Sequence, residues 1–379
     1  LISTEMHYFA SGKYEFPANA MVSASHNPPE YNGLKIVTKG VVALHGEYGL
    51  PEIRQLAEQN QFTSAPRKGG ITQQDILQSW VDHALSFVNP AQLRPLKVVL
   101  DTGSGMGATA WAEVAKRLPI SLTSLHPELD GTFPYHPADP SKPANIVDLQ
   151  QAVRTQQADI GIALDGDADR IFLVDEQGKP ASSTAMTAML AEYLLQQHGF
   201  AAVLYNVIIG RRVPEVVSEY GGTPVRVRVG HSFIKQYMKD YQAVFAGEHS
   251  GHYYFRNNYN ADSSLIAGLL MLQILSMRSK PLSEVANDYT KYPQSGEINF
   301  TVPDRVQMIA QIRQVYNSAK IDEIDGLTFW YDDWWFNLRA SKTEPLLRLN
   351  IEANNEDILT SNVTELVSKI EAWGAKRKL

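Results

Sequence analysis

"LKVVLDTGSGMGATAWAEVAKRL", residues 96–118, sets the fold class. The short apolar run LKVVLD breaks at a glycine-rich turn and gives way to the helix-period pattern ATAWAEVAKRL. That is the strand–turn–helix unit of an α/β sheet. The rhythm continues downstream. VDLQQAVRTQQA (147–158) reads as a helix leading into the buried-strand run DIGIAL, and IFLVDEQGKP as a further strand and turn. STAMTAMLAEYLLQQHG (183–199) reads as a helix with Gly199 at its C-cap. AAVLYNVIIG follows as a strand, RRVPEVVSEYGG as a short helix and TPVRVRV as an alternating strand. The tail differs: GEINFTV, LTFWYDDWWFNLRAS and LLRLNIEAN read as strands of a smaller α+β unit, closed by the helix EDILTSNVTELVSKIEAWGAK. The expectation is a multidomain α/β chain with mixed or parallel sheets and boundaries near 75, 180 and 293.

Bulk composition narrows the classes of function. A chain of 379 residues is too long for one compact core. Its 44% hydrophobic and 20% charged residues are those of an ordinary globular protein. A formal charge of -7 offers no broad basic surface for nucleic acid, so any anion handled here needs a local cation cluster. The absence of cysteine excludes disulfides and thiolate metal sites, and the expected compartment is the cytoplasm. LIAGLLMLQILSM (265–277) is too short to span a membrane and reads as a core helix.

Four polar loops carry the chemistry. In DGDADR (165–170), Asp165, Asp167 and Asp169 alternate, so an extended loop turns their carboxylates to one side. Carboxylates so close repel unless a cation lies among them, and hard oxygen ligands suit Mg²⁺ or Ca²⁺. The spacing also matches the start of an EF-hand, with Glu176 at the twelfth position. Arg170 where that loop needs glycine, and strand-like flanks, oppose it. A solvated acidic turn is the plainer alternative. In VSASHNPPEYNGLKI (22–36), Ser25 is either a turn residue beside Asn27-Pro28 or a nucleophile. His26 is placed to hydrogen-bond locally and Lys35 to lie beside the same hydroxyl; no G-x-S-x-G elbow marks a serine hydrolase. GEHSGH (247–252) offers Glu248 and Ser250 to vicinal hydroxyls and lacks the H-E-x-x-H zinc spacing. RASKTEP (339–345) gathers Arg339, Ser341, Lys342 and Thr343, the donors a dianionic phosphate needs. DTGSGMG (101–107) reads as a strand-to-helix packing turn rather than a dinucleotide site, and His231 ends the strand VRVRV within reach of a sugar.

Together these motifs, in this order, resemble the α-D-phosphohexomutase superfamily, and most closely its bacterial phosphomannomutase/phosphoglucomutase branch. The resemblance covers essentially the whole chain. It implies three related α/β domains with mixed sheets (1–75, partial; 76–180; 181–293) and a smaller C-terminal α+β domain (294–379) around a central cleft, the last one hinged. It implies phospho-Ser25 as phosphoryl donor and Mg²⁺ held by Ser25, Asp165, Asp167 and Asp169. Arg170 would steady the phosphoryl group and Lys35 would act in proton transfer at the attacking hydroxyl, with His26 counted beside them as a catalytic residue. Glu248, Ser250 and His231 would read the sugar, and Arg339, Ser341, Lys342 and Thr343 would clamp the phosphate that does not react. The implied reaction interconverts hexose 1-phosphate and hexose 6-phosphate through a hexose 1,6-bisphosphate, on mannose and then glucose phosphates, by a monomer or homodimer. Phosphoglucosamine mutase, a metal-dependent phosphatase and a non-catalytic sugar-phosphate binder are the alternatives. Three departures stand out: family members begin well upstream of Leu1, so the chain reads as N-terminally truncated; Ile208 replaces a lysine of some relatives; and His249 replaces a methionine, which bears on sugar preference.

Overall fold

The structure, a computed structural model, describes residues 1–341 and 345–378. Helix α1 (Thr4–Tyr14) precedes an antiparallel sheet of β1 (Ala18–Val22), β2 (Leu34–Thr38) and β3 (Val42–Ala43), followed by α2 (Leu50–Glu58). An exposed stretch, 61–75, leads to α3 (Leu77–Leu85).

The second sheet holds β4 (Leu96–Asp101), β5 (Ile120–Leu125), β6 (Ile160–Leu164) and β7 (Ile171–Asp175) in the order β5-β4-β6-β7, with helices α4 (Ala108–Ala115) and α5 (Val147–Gln156). Strand β4 runs parallel to both neighbours, and β6 turns back antiparallel into β7. The third sheet repeats that plan. After α6 (Ser183–His198), β8 (Ala202–Asn206) lies parallel to β9 (Thr223–Val227) and β10 (Phe245–Gly247), with α7 (Arg212–Glu219) and α8 (His231–Asp240) between them. Strand β10 then turns back into β11 (Tyr253–Phe255), and β12 (Ala261–Asp262) closes the edge before α9 (Ser264–Arg278) and α10 (Leu282–Asn287).

The fourth sheet is antiparallel, with β13 (Gln294–Thr301), β14 (Lys320–Asp322), β15 (Leu327–Trp330), β16 (Trp334–Ala340), β17 (Leu346–Ala353) and β18 (Lys376–Lys378) ordered β14-β15-β16-β17-β13-β18. Helices α11 (Arg305–Val315) and α12 (Glu356–Ala372) belong to it. In all four sheets the polar motif of the sequence falls between two antiparallel strands: β1–β2, β6–β7, β10–β11 and β16–β17. Strand pairs fix the approach, and the connecting loops are free to carry polar side chains.

The cores explain which parts move together. One apolar cluster runs continuously from Phe9 and Trp80 through β4, β6, α6 and α9 to β10 and β11, so the second and third sheets share it. Helix α9 is apolar on every side because it is covered on every side. Its Gly268 lets α4 approach, since a Cβ there would meet the Trp111 ring at 2.6 Å. The fourth sheet has its own separate core around Phe300, Phe329, Phe336 and Ile370. Its junction with the third domain is polar: Arg211 on Glu352, Arg226 on Asp322 and Thr328, and the Val229 amide on Asp325. A separate core joined by polar contacts is the construction of a hinged domain. We propose domain divisions near 75, 180 and 293 on this basis.

Candidate active site

The Ser25 loop and the acidic loop meet face to face. Register pairs Met21 with Lys35 and Val22 with Leu34, which closes the first hairpin around residues 23–33. Ser25 lies in the left-handed region at φ 55°, with its amide donating to Ser23 Oγ at 2.9 Å. Opposite, Leu164 pairs with Ile171 and leaves 165–170 as a tight turn. The turn winds around Asp165, whose Oδ1 accepts the amides of Asp169 and Arg170 at 3.2 Å each. Strand flanks on both sides exclude the EF-hand; Glu176 instead accepts the Ser283 amide.

Close backbone approach requires the glycines of both motifs. A Cβ on Gly166 would meet the Ser25 carbonyl oxygen at 2.6 Å, and one on Gly105 would meet the Gly166 carbonyl oxygen at the same distance. The Met106 amide donates to that Gly166 oxygen at 3.0 Å. The glycine-rich turn after β4 is thus a packing turn, and its work is to brace the acidic loop.

Across this junction Ser25 Oγ donates to Asp165 Oδ2 at 3.0 Å, a contact between residues 140 apart in sequence. His26 Nδ1 is 3.3 Å from the same hydroxyl. The carboxylates of Asp165, Asp167 and Asp169 present oxygens within 4.8 Å of one another, all buried. Lys35 does not hydrogen-bond to the hydroxyl; its ammonium lies between Asp167 Oδ2 (2.7 Å) and Asp169 Oδ2 (2.6 Å). Arg170 Nε approaches Asp165 at 3.5 Å and Asp169 at 4.0 Å.

Three carboxylates against two cations leave an imbalance that the titration behaviour reflects. Burial raises Asp165 well above the usual carboxylate range, reinforced by Asp169 and Asp167. Burial opposes the charge on Asp169 too, but Lys35 and His252 outweigh it and hold that group well below the usual range. Burial, then Arg170, pushes His26 down to about 4, so its ring is neutral near pH 7. Asp167 Oδ1 is buried with no hydrogen-bond partner among the described residues. All-oxygen donors, an excess of negative charge and an orphaned carboxylate oxygen fit a hard divalent cation.

Several participants escape sequence reasoning. Thr4 Oγ1 donates to Asp167 Oδ2 at 2.6 Å and Ser23 Oγ to the same oxygen at 2.8 Å. Short hydroxyls like these carry no signal in a sequence. His252 bridges the two central loops, with Nε2 3.3 Å from Asp169 and Nδ1 2.9 Å from Ser250 Oγ. GEHSGH displays this histidine, but its partner is visible only in three dimensions.

The other predicted residues gather nearby. His231 begins α8 and stacks on His252 with ring centroids 5.9 Å apart. Glu248 is buried and already engaged: Oε1 accepts the Gly230 amide at 3.1 Å and Oε2 the Tyr254 hydroxyl at 2.6 Å. Arg339 is buried at the end of β16, donating to Glu297 Oε2 at 2.8 Å, and its positive charge is felt by His249 of the facing loop. The Ser341 amide donates to the Leu346 carbonyl and its own carbonyl accepts Arg305. Lys342 and Thr343 lie outside the described residues.

This geometry can be set beside known proteins. Four domain families match in sequence order: Phosphoglucomutase/phosphomannomutase alpha/beta/alpha domain I over 1–64, domain II over 78–178, domain III over 182–292 and the C-terminal domain over 297–369. A phosphomannomutase of Vibrio cholerae is 37% identical over 376 residues, covering 97% of this chain and 81% of the relative. The chain belongs to the phosphoglucomutase/phosphomannomutase family.

An Escherichia coli phosphomannomutase is similar at 38% identity, with 96% of this chain and 82% of the relative covered. In structure, a phosphoglucomutase/phosphomannomutase family protein of Burkholderia thailandensis superposes with a TM-score of 0.89 at 28% identity, covering 100% of this chain and 83% of that one. The family is that of the metal-dependent phosphohexomutases, of the isomerase class, and an acidic cluster is present in this chain.

Proposed function

We infer that this family member interconverts hexose 1-phosphate and hexose 6-phosphate in the cytoplasm, on mannose and secondarily on glucose phosphates, as a monomer or homodimer. The observation that carries the residue assignments is the Ser25 hydroxyl at 3.0 Å from Asp165, inside a three-carboxylate cluster supplied by another domain. A serine in that position can hold a phosphoryl group only if its charge is neutralised, and Arg170 and Lys35 supply part of that. Mg²⁺ held by Asp165, Asp167, Asp169 and the phosphoserine would supply the remaining charge neutralisation.

The chain's own residues then divide the work. Phospho-Ser25 gives its phosphoryl group to the free hydroxyl of the bound sugar phosphate, and the bisphosphate so formed returns its other phosphate to Ser25 Oγ. Lys35, whose ammonium lies on Asp167 and Asp169, would act in proton transfer at the attacking sugar hydroxyl. Neutral His26 hydrogen-bonds Ser25 Oγ, and Arg170 orients the group in flight. Ser250, Glu248 and His231 read the sugar, and Arg339, Ser341, Lys342 and Thr343 hold the distal phosphate. The polar junction of the fourth domain lets that clamp open while the bisphosphate turns. That relatives of this chain are named phosphomannomutase supports the mannose reading over the glucosamine one.

The test is turnover of mannose 1-phosphate and glucose 1-phosphate side by side with a hexose 1,6-bisphosphate activator, together with intact mass. Wild type should turn over and carry the mass of one phosphoryl group that Ser25→Ala lacks. Retained turnover in Ser25→Ala refutes the nucleophile assignment.

A further inference from the structure

A second cluster of metal-ligating groups lies in the second domain, outside the reaction machinery. Asp101 ends β4, His126 follows β5, and His136 stands on the loop that leads towards α5. Their ligand atoms lie within 4.8 Å of one another. We propose that Asp101, His126 and His136 form a binding site for Zn²⁺ or a similar borderline transition ion, with Asp148 at its mouth.

The hydrogen bonds of His136 carry the inference. Its Nδ1 is 2.9 Å from the Pro137 carbonyl oxygen, which can only accept, so Nδ1 bears the proton. Nε2 faces the Asp101 carboxylate, 3.1 Å from Oδ2 and 3.3 Å from Oδ1, an approach that a second ring proton or a metal ion can bridge. A neutral imidazole nitrogen facing an anion is repulsive unless a proton or a metal lies between them. In tetrahedral zinc two ligand atoms each ~2.1 Å from the ion are about 3.4 Å apart, a little wider than the 3.1 and 3.3 Å here. A backbone carbonyl fixing the far nitrogen is the usual outer-sphere arrangement of a metal-bound histidine. Asp101 is fixed as well, its Oδ1 accepting the Gly103 amide at 3.0 Å.

His126 supplies the independent observation. Its Nε2 is buried and has no hydrogen-bond partner among the described residues. The ring is held by stacking on Tyr135, with centroids 4.0 Å apart, and stands edge-on to His136. Its backbone occupies the left-handed region at φ 51°, and its carbonyl accepts the Thr102 hydroxyl and Ser104 amide. Asp148 Oδ2 lies 3.8 Å from the same Nε2 on the solvent side. Two imidazoles and carboxylates select Zn²⁺, Co²⁺ or Ni²⁺ over Mg²⁺. The oxygen-only cluster beside Ser25 has the opposite preference, so the chain would hold two ions of different character.

The experiment measures Zn²⁺ binding to the full chain by equilibrium dialysis in millimolar Mg²⁺, which competes for the carboxylate cluster. Wild type and Asp167→Asn should each retain one Zn²⁺, and His126→Gln should bind it at least tenfold more weakly. Equal binding by His126→Gln, or loss confined to Asp167→Asn, overturns the proposal. Zinc-edge X-ray absorption on wild type does not depend on His126→Gln folding. Two imidazoles in the shell, with Mg²⁺ saturating the carboxylate cluster and with the count kept in Asp167→Asn, support the site; one or none refutes it.

Discussion

Replacing Lys35 by methionine separates the two roles a cation can have in the acidic cluster. The ammonium stands 2.7 Å from Asp167 and 2.6 Å from Asp169, and the three side chains are 15%, 4% and 0% exposed. Methionine keeps the length and removes the charge. Breaking a buried ion pair from one side costs about 3–5 kcal/mol, because the partners stay buried and uncompensated. That loss should appear as a lower melting temperature in EDTA. The same carboxylates then compete less with a resident ammonium for an added ion. Unit charges 4 Å apart interact by about 4 kcal/mol at an effective dielectric constant of 20. Allowing for partial exposure and salt, affinity for Mg²⁺ should still rise tenfold or more, about 1.4 kcal/mol. Calorimetric titration with Mg²⁺ reads this directly, and saturating Mg²⁺ should recover much of the lost stability while turnover stays impaired. Wild-type stability in EDTA, or Mg²⁺ affinity that is unchanged or weaker, would show that Lys35 does not neutralise the cluster.

Three other outcomes follow from the geometry. Gly166→Ala puts a methyl group 2.6 Å from the Ser25 carbonyl, so the loops must part; kcat should fall about 100-fold with little change in melting temperature, measured by steady-state kinetics beside calorimetry. Glu352→Ala strips acceptors from the Arg211 amide and guanidinium, Gln294 and the Trp335 indole at the third–fourth domain junction. The fourth domain should loosen, which limited proteolysis would detect as faster cleavage near residue 293. Glu5 is raised to about 8 by burial, so the folded state binds a proton that the unfolded state releases above about 4.5. Stability attributable to that group falls as pH rises from about 4.5 to 8, by an amount on the order of several kcal/mol. Glu5→Gln should therefore melt higher than wild type at pH 8 and show a smaller difference at pH 5.

What was legible in the sequence is the part written in local pattern. The runs LKVVLD and DIGIAL became β4 and β6, the all-apolar LIAGLLMLQILSM became the buried α9, and the alternating aspartates converged as their spacing requires. Lys35 was expected beside the Ser25 hydroxyl and lies instead on two aspartates, since the charges that attract it come from another domain. Helix α1 was not legible at all. Thr4, Glu5, His7 and Ser11 are buried there along with Met6, Tyr8 and Phe9, so TEMHYFASGKY shows no apolar stripe. The pairing of one antiparallel connection per sheet with one motif is likewise a property of topology, which no local window contains.

Helix α1 also has a practical bearing on recombining relatives. Within its first two turns it touches the Asp167 carboxylate through Thr4, the start of α9 through Glu5, the Lys235 ammonium through the Tyr8 ring and the Trp80 indole through Phe9. A chimera that grafts a foreign serine loop onto this scaffold would inherit its alignment from that short segment. Transplanting residues 15–75 while leaving 1–14 in place should preserve the docking, whereas a swap beginning at residue 1 would have to carry matching contacts from four other regions.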